Sequence, residues 1–327
     1  MLNVVVFLGK DPAYFKTVAE VIAQEEDLAD VRLLPSQSRE HLAEAIADAE
    51  VFLTFNIPKG VLATAKKLRW LAMAQAGIEE ELTPEVAATI RERGIAVTNA
   101  SGVASPMVAE QTLALMLALV RQLKPSIEYQ QKKHWAFDLL RLQTDDLLGK
   151  TVAILGLGNI GKHVARLCQA FQMRLLALDV EEVESDLVEK VYPPHKLKEV
   201  LSQADFVVLC LPLTQLTQNM MNSSAFKVMK PGSYLINVAR GGLVDESALL
   251  EALDSGQVAG AALDVVAKQP LPKESPLWEH PKIIITHHLA GSGKKYFERL
   301  GKLMAQNIRN YLEGRPLINL VDIERGY

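Results

Sequence analysis

The stretch TVAILGLGNIGKHVARLCQAFQMRLLALD, residues 151–179, decides how the rest of this chain is read. It opens with the apolar strand Thr151 to Leu155 and passes directly into glycines at 156, 158 and 161. Beyond them Ile160, Val164, Leu167, Cys168 and Phe171 recur at helical spacing and define one apolar face. A strand that turns tightly into a helix leaves free N–H groups and the positive end of the helix dipole at the turn.

That arrangement suits the pyrophosphate of a dinucleotide. Gly156 permits the tight turn, Gly158 lets a phosphate approach the backbone beside Asn159 and Ile160, and Gly161 lets helix and strand pack closely. The next strand ends in Asp179, at the distance expected for a carboxylate that binds a ribose 2′-hydroxyl. Glu181 and Glu182 follow, and no Arg or Lys stands nearby to hold a 2′-phosphate, which favours NAD(H) over NADP(H). A glycine turn in a cofactor-free α/β domain is the plain alternative. Strand context, spacing and acidic residue together weigh against it.

Outward from this stretch, short apolar runs alternate with amphipathic ones. NVVVFLG, VRLLP, VFLTF, WLAMA and AVTNA precede it as strand candidates, with helical patterns such as DPAYFKTVAEVIAQEE and SREHLAEAIADA between them. After a break at NASGVASP, residues 99–106, comes MVAEQTLALMLALVRQL, apolar on nearly all sides and therefore a helix buried in a core or an interface. On the C-terminal side DFVVLCLP, SYLINVAR, VAGAALDVV and KIIITHH continue the strands, and SGKKYFERLGKLMAQNIRNYLEG reads as one long amphipathic helix with a glycine stop. The alternation predicts an α/β protein of two doubly wound parallel-sheet domains.

Composition bounds the partners. Of 327 residues, 49% are hydrophobic and the net charge is −4, so a packed globular chain is expected and nucleic acid or an anionic membrane is not. The longest apolar stretch, TLALMLALV, is about half of a membrane span. The start MLNVVVFLGKD reads as a first strand and not as a signal peptide. Cys168 and Cys210 lie far apart in apolar segments and read as two buried thiols, which fits a reducing, cytoplasmic setting. No cluster has metal-ligand spacing, so no metal is expected.

Three further strand ends carry chemistry. Arg240 stands just past SYLINVA and before Gly241-Gly242, Asp264 ends ALD, and His287 and His288 end IIITHH. Carboxyl ends of strands line the ligand crevice of a doubly wound sheet, so these groups can converge beside a nicotinamide. A guanidinium holds a carboxylate bidentately, and a histidine can protonate a carbonyl oxygen as hydride arrives. Of the other histidines, His41, His134, His163, His195 and His280 sit in polar or surface contexts and read as solvated.

From about residue 70 onward, LLGKTVAILGLGNIGKHVA, ADFVVLCLPLTQLTQNMMNSSAFKVMKPGSYLINVARGGLVDESALLEAL and SPLWEHPKIIITHHLAG closely resemble the motifs of the D-isomer-specific 2-hydroxyacid dehydrogenase family. The resemblance implies two Rossmann-like or flavodoxin-like domains with a cleft between them. The substrate domain would be 1–100 plus 292–327, the NAD-binding Rossmann domain 101–291. It also implies an NAD-dependent oxidoreductase acting on a small 2-hydroxy or 2-oxo acid, and a homodimer formed through the helix around residues 107–121. By the same resemblance Arg240 binds the substrate carboxylate, His288 is the acid–base group and Asp264 holds the nicotinamide carboxamide. Pro212 and Ala239 line the dinucleotide, and Gln75, Ala76 and Gly77 offer backbone N–H groups to the substrate. Trp135 resembles an aromatic that some members insert into the partner's active site, or else it simply packs. His287 stands where a proline is usual. The length leaves no room for the extra regulatory domain of long phosphoglycerate dehydrogenases.

One position departs from that pattern. A glutamate usually follows the aspartate by five residues and pairs with the histidine. Here the residue is Gln269, preceded by Lys268. A neutral amide can orient an imidazole but cannot favour its charged form. Three readings follow: a 2-oxoacid reductase with a tuned histidine, a hydride abstraction like that of formate dehydrogenases, and a non-catalytic NAD(H)-binding redox sensor. Retention of Arg240 and His288 favours the first. Glu274, a substitute carboxylate, sits in a loop and reads as exposed.

Overall fold

Runs of consecutive apolar residues make strands that are buried on both faces, and the inner strands of both sheets are built from them. The computed structural model describes residues 2–36, 38–180 and 185–323, so Glu181 and Glu182 lie outside the described residues. The chain divides into two units, one up to Ala104 together with the residues from Gly293, the other Ser105–Ser292.

In the first unit β1 (Leu2–Phe7), β2 (Val31–Pro35), β3 (Val51–Thr54), β4 (Trp70–Met73) and β5 (Ala96–Thr98) form an all-parallel sheet in the order β2-β1-β3-β4-β5. One face buries Val4, Val6 and Leu53 against Val18 and Ile22 of helix Pro12–Ala23 and Met304 and Ile308 of helix Tyr296–Leu312. The other buries Val5, Phe52 and Leu71 against Leu42, Ile46 and Ile90. The two helices on the first face approach so closely that a Cβ at Gly301 would lie 2.8 Å from Val21 Cβ. Arg309 ties the last helix to Glu25 and Asp27, and its guanidinium holds the Asp27 carboxyl below its usual range.

The C-terminal helix starts later than its polar–apolar pattern suggests. Ser292 N–H is taken by Leu289 O and Tyr296 N–H by Gly293 O, so two turns occupy residues 289–296 before the helix begins.

The second unit orders its strands β12-β11-β10-β9-β6-β7-β8, again all parallel. These are β6 (Thr151–Leu155), β7 (Arg174–Leu178), β8 (Lys190–Tyr192), β9 (Phe206–Leu209), β10 (Ser233–Asn237), β11 (Val258–Leu263) and β12 (Ile283–Ile285). β8 was not expected: three residues on a sheet edge are too short to show a period, and pairing with β7 alone makes them a strand. The order reverses between β6 and β9, which is where doubly wound sheets open a crevice. Helix Ser105–Val120 lies on this sheet, with Val108, Thr112, Leu115, Met116 and Leu119 buried and Ala114 exposed. Among the described residues no helix is long and apolar enough to cross a membrane.

Candidate active site

The glycine turn after β6 is built by contact with the next strand over. Gly156 has φ +97°, and a Cβ there would lie 2.8 Å from the carbonyl carbon of Cys210, just past β9. A Cβ at Gly161 would lie 2.1 Å from Gly156 O, whereas nothing stands within 4 Å of one at Gly158. Two glycines therefore serve backbone packing and the third leaves open space. Helix Asn159–Ala170 begins there with Gly158 at its N-cap and no side-chain cap hydrogen bond. This is a fit for a dinucleotide pyrophosphate. Asp179, beyond the end of β7, accepts a hydrogen bond from Leu157 N–H at 2.6 Å and so stands beside the turn.

From this turn the strand ends connect along one edge of the sheet. A Cβ at Gly242 would meet Leu213 Cδ2 at 2.9 Å, in the loop that carries Pro212. That loop is closed by Thr217, whose hydroxyl donates to Pro212 O at 2.8 Å. A Cβ at Gly241 would lie 2.0 Å from the carbonyl carbon of Val266, so the Arg240 turn rests directly on the segment past β11. Asn237, fully buried, shapes that turn: its Oδ1 accepts from Ala239 N–H and its Nδ2 donates to Arg240 O. Its main-chain carbonyl accepts from Asp264 N–H at 2.9 Å, joining the ends of β10 and β11. Arg240 Nη1 donates to Ala239 O at 2.8 Å.

His288 and Gln269 meet. Nδ1 of the imidazole lies 2.9 Å from Gln269 Oε1, and Gln269 Nε2 lies 3.4 Å from Val266 O. A carbonyl accepts only donors, so the amide nitrogen belongs at Val266 and the amide oxygen at the imidazole. Nδ1 then carries a proton in the neutral ring, which leaves Nε2 to exchange one with a ligand. His288 has φ 55°, a left-handed conformation that costs a non-glycine residue about 1–2 kcal/mol. Its turn is held by Asp264, 2% exposed. The aspartate carboxylate accepts from Thr286 Oγ1, Leu289 N–H and Ala290 N–H, and its main-chain carbonyl from His288 N–H. Sequence reasoning placed Asp264 at the site but not its grip on this turn. Thr286, Asn237 and Val266 were not singled out at all, since nothing local marks a side chain or carbonyl as a partner for a distant loop.

The other candidates are placed as follows. Gln75, Ala76 and Gly77 follow β4 in the first unit. Gln75 O accepts from Ala100 N–H, Ala74 O accepts from the Tyr296 hydroxyl, and the N–H groups of Ala76 and Gly77 find no partner among the described residues. Glu81 Oε2 accepts from Ile57 N–H at 2.7 Å, linking this loop region to the one after β3. Trp135 is 91% exposed. His287 lies beside the Trp278 ring, and Glu274 is exposed. His280 is not solvated as expected: its side chain is 10% exposed, faces Asp254, and accepts from Lys282 N–H. Burial pushes the Cys168 and Cys210 thiols up to about 12, so neither is a nucleophile at neutral pH.

Residues 113–290 match the family model described as D-isomer specific 2-hydroxyacid dehydrogenase, NAD binding domain. The D-3-phosphoglycerate dehydrogenase of Methanocaldococcus jannaschii is 33% identical over 305 residues, 91% of this chain and 56% of that protein, so the chain spans little more than half its length. The glyoxylate reductase of Korarchaeum cryptofilum is 32% identical over 295 residues, 88% of this chain and 87% of that protein. A crystal structure of a D-isomer specific 2-hydroxyacid dehydrogenase family protein from Aeromonas salmonicida superposes with a TM-score of 0.84 at 30% identity, covering 99% of this chain and all of the other. With its two parallel sheets, its glycine turn and its histidine-bearing strand end, the chain belongs to the D-isomer-specific 2-hydroxyacid dehydrogenase family.

Proposed function

We propose that this chain is an NAD(H)-dependent oxidoreductase that acts as a 2-oxoacid reductase on small 2-oxo acids. The observation that carries the reading is the His288–Gln269 pair on the same sheet edge as the Arg240 turn and the glycine turn. Gly156, Gly158, Asn159, Ile160 and Gly161 would hold the dinucleotide pyrophosphate, Asp179 the ribose, and Pro212 and Ala239 would line it. Asp179 is the reason to favour NAD over NADP. The bound dinucleotide supplies the hydride. Arg240 binds the substrate carboxylate and polarises the 2-oxo group, the Gln75–Gly77 loop offers it N–H groups, and His288 Nε2 protonates the oxygen. Gln269 Oε1 accepts from Nδ1–H whether the ring is neutral or charged, so it orients the ring.

In this reading residues up to Ala104 with those from Gly293 form the substrate unit, and Ser105–Ser292 the dinucleotide unit. The chain works in the cytoplasm as a homodimer paired through helix Ser105–Val120. Support for the pairing comes from the apolar side chains after that helix: Trp135, Phe137, Leu142 and Leu148 are all exposed, and a hollow of about 370 Å³ lined by Leu117, Leu147 and Phe171 lies beside Leu148.

The test is NADH consumption with a panel of 2-oxo acids from about pH 5 to 8, where an unperturbed histidine titrates. Turnover that rises toward acid pH is expected. Gln269 also favours a second reading, formate oxidation, because a substrate that releases no proton needs no charged partner for the histidine. NAD reduction by formate with no 2-oxoacid turnover would select it. Tight NADH binding without either activity would leave a redox sensor.

A further inference from the structure

We propose that Thr286 is a positioning residue for His288, acting through the carboxylate of Asp264; this rests on the acid–base role assigned to His288 above. The histidine sits at the crest of a left-handed turn, φ 55°, with its side chain and both flanking residues, His287 and Leu289, exposed. The backbone of that turn is held by polar contacts that converge on Asp264. Asp264 O accepts from His288 N–H at 2.8 Å, Oδ1 from Leu289 N–H at 3.0 Å, and Oδ2 from Ala290 N–H at 3.0 Å. The Thr286 hydroxyl donates to Oδ1 at 2.5 Å, before the crest, whereas the other three bonds come from the crest and beyond it. Thr286 directly follows β12, its N–H donating to Leu263 O at 3.0 Å. The threonine hydroxyl therefore fixes the carboxylate that fixes the turn.

Two features raise the weight on this one hydroxyl. Position 287 is a histidine, with no ring closure to lock φ, and its imidazole lies against Trp278 instead. Oδ1 already accepts two hydrogen bonds, which fills an oxygen that offers about two lone-pair sites. Of the two carboxylate oxygens, only Oδ2 has room for a further donor, so Asp264 acts first on the histidine turn and only second on a bound nicotinamide.

The discriminating variant is Thr286→Val, which keeps the shape and removes the donor, with Thr286→Ser to restore it. In cofactor-free protein labelled with ¹⁵N-histidine, the His288 resonance, assigned by its loss in His288→Gln, is expected to report the Nδ1–H form in the parent. In Thr286→Val it should average between tautomers, and in Thr286→Ser it should return. With NADH and the best 2-oxo acid, kcat should fall about tenfold in Thr286→Val, roughly the worth of one hydrogen bond to a charged group, with the NADH Kd unchanged. An unaltered His288 resonance together with an unaltered kcat would overturn the proposal. So would a weaker NADH Kd with kcat unaltered at saturation, because the carboxylate would then serve the cofactor. If the parent turns over no 2-oxo acid, the functional reading fails and the resonance alone decides this one. If Thr286→Val does not fold, Thr286→Ala is read by the same signals.

Discussion

Two turns at the carboxyl edge of one sheet use the same left-handed backbone for opposite ends. After β6 the functional group is the backbone itself, and the turn is glycine: Gly156, φ +97°, lies where any Cβ would strike Cys210. After β12 the functional group is a side chain, and the turn is a histidine at φ 55°. Glycine supplies the left-handed residue of the first turn directly, with the Asp179 carboxylate accepting from Leu157 N–H beside it. The second takes the hydrogen bonds of Asp264, because an imidazole cannot be had without a Cβ.

The largest effect should come from breaking the first turn. Gly161→Ala sets a methyl 2.1 Å from Gly156 O, and backbone cannot yield as a side chain does. More than about 3 kcal/mol of stability should go, by denaturant melt, and NADH binding with it. The converse change sharpens the contrast. His288→Gly relieves the left-handed residue, so stability should rise by up to about 1 kcal/mol while turnover falls at least about 100-fold. A loss of stability there would mean that the Asp264 bonds depend on the imidazole.

A finer probe is Gln269→Glu. A carboxylate at Nδ1 favours the charged ring, so the protonated histidine that reduction needs persists to higher pH. The pH profile of reduction should move up by about one unit or more, and oxidation at neutral pH should slow. An unmoved profile would show that another group sets it. The smallest effect is expected in the first unit, where the loop before Gln75 is held by neither glycine nor aspartate but by the Tyr296 hydroxyl on Ala74 O. Burial pushes that phenol up to about 12, so it stays a donor across the working range. Tyr296→Phe should cost about 1 kcal/mol in a melt and raise the KM for the 2-oxo acid, with kcat held.

These turns differ equally in how legible they are. The glycine turn could be read from consecutive residues, because strand period, turn sterics and helix face all operate within a dozen positions. The Arg240 turn was half legible: Gly241-Gly242 marked a turn after the strand, but only the fold shows that it rests on Val266. Gln269 was found only because the resemblance supplied an expectation for it to miss. Its amide orientation, set by Val266 O, was invisible, as were Thr286 and Asn237. His280 misled for the same reason, a polar neighbourhood in sequence that is a half-closed one in space. The start of the last helix was misplaced because the amphipathic pattern was extended back over Ser292 and Gly293, where the chain instead makes turns.

By itself the sequence determined the α/β alternation, the parallel sheets and the dinucleotide turn, since each follows from periodicity and steric demands among near neighbours. What the tertiary structure decided is which strand ends lie side by side, and hence which groups bond. Asp264 reaches Thr286 across 22 positions and Tyr296 reaches Ala74 across 222. A hydrogen bond has a range of about 3 Å and no preference for sequence distance, so its partner is chosen by sheet order and not by the residues beside it.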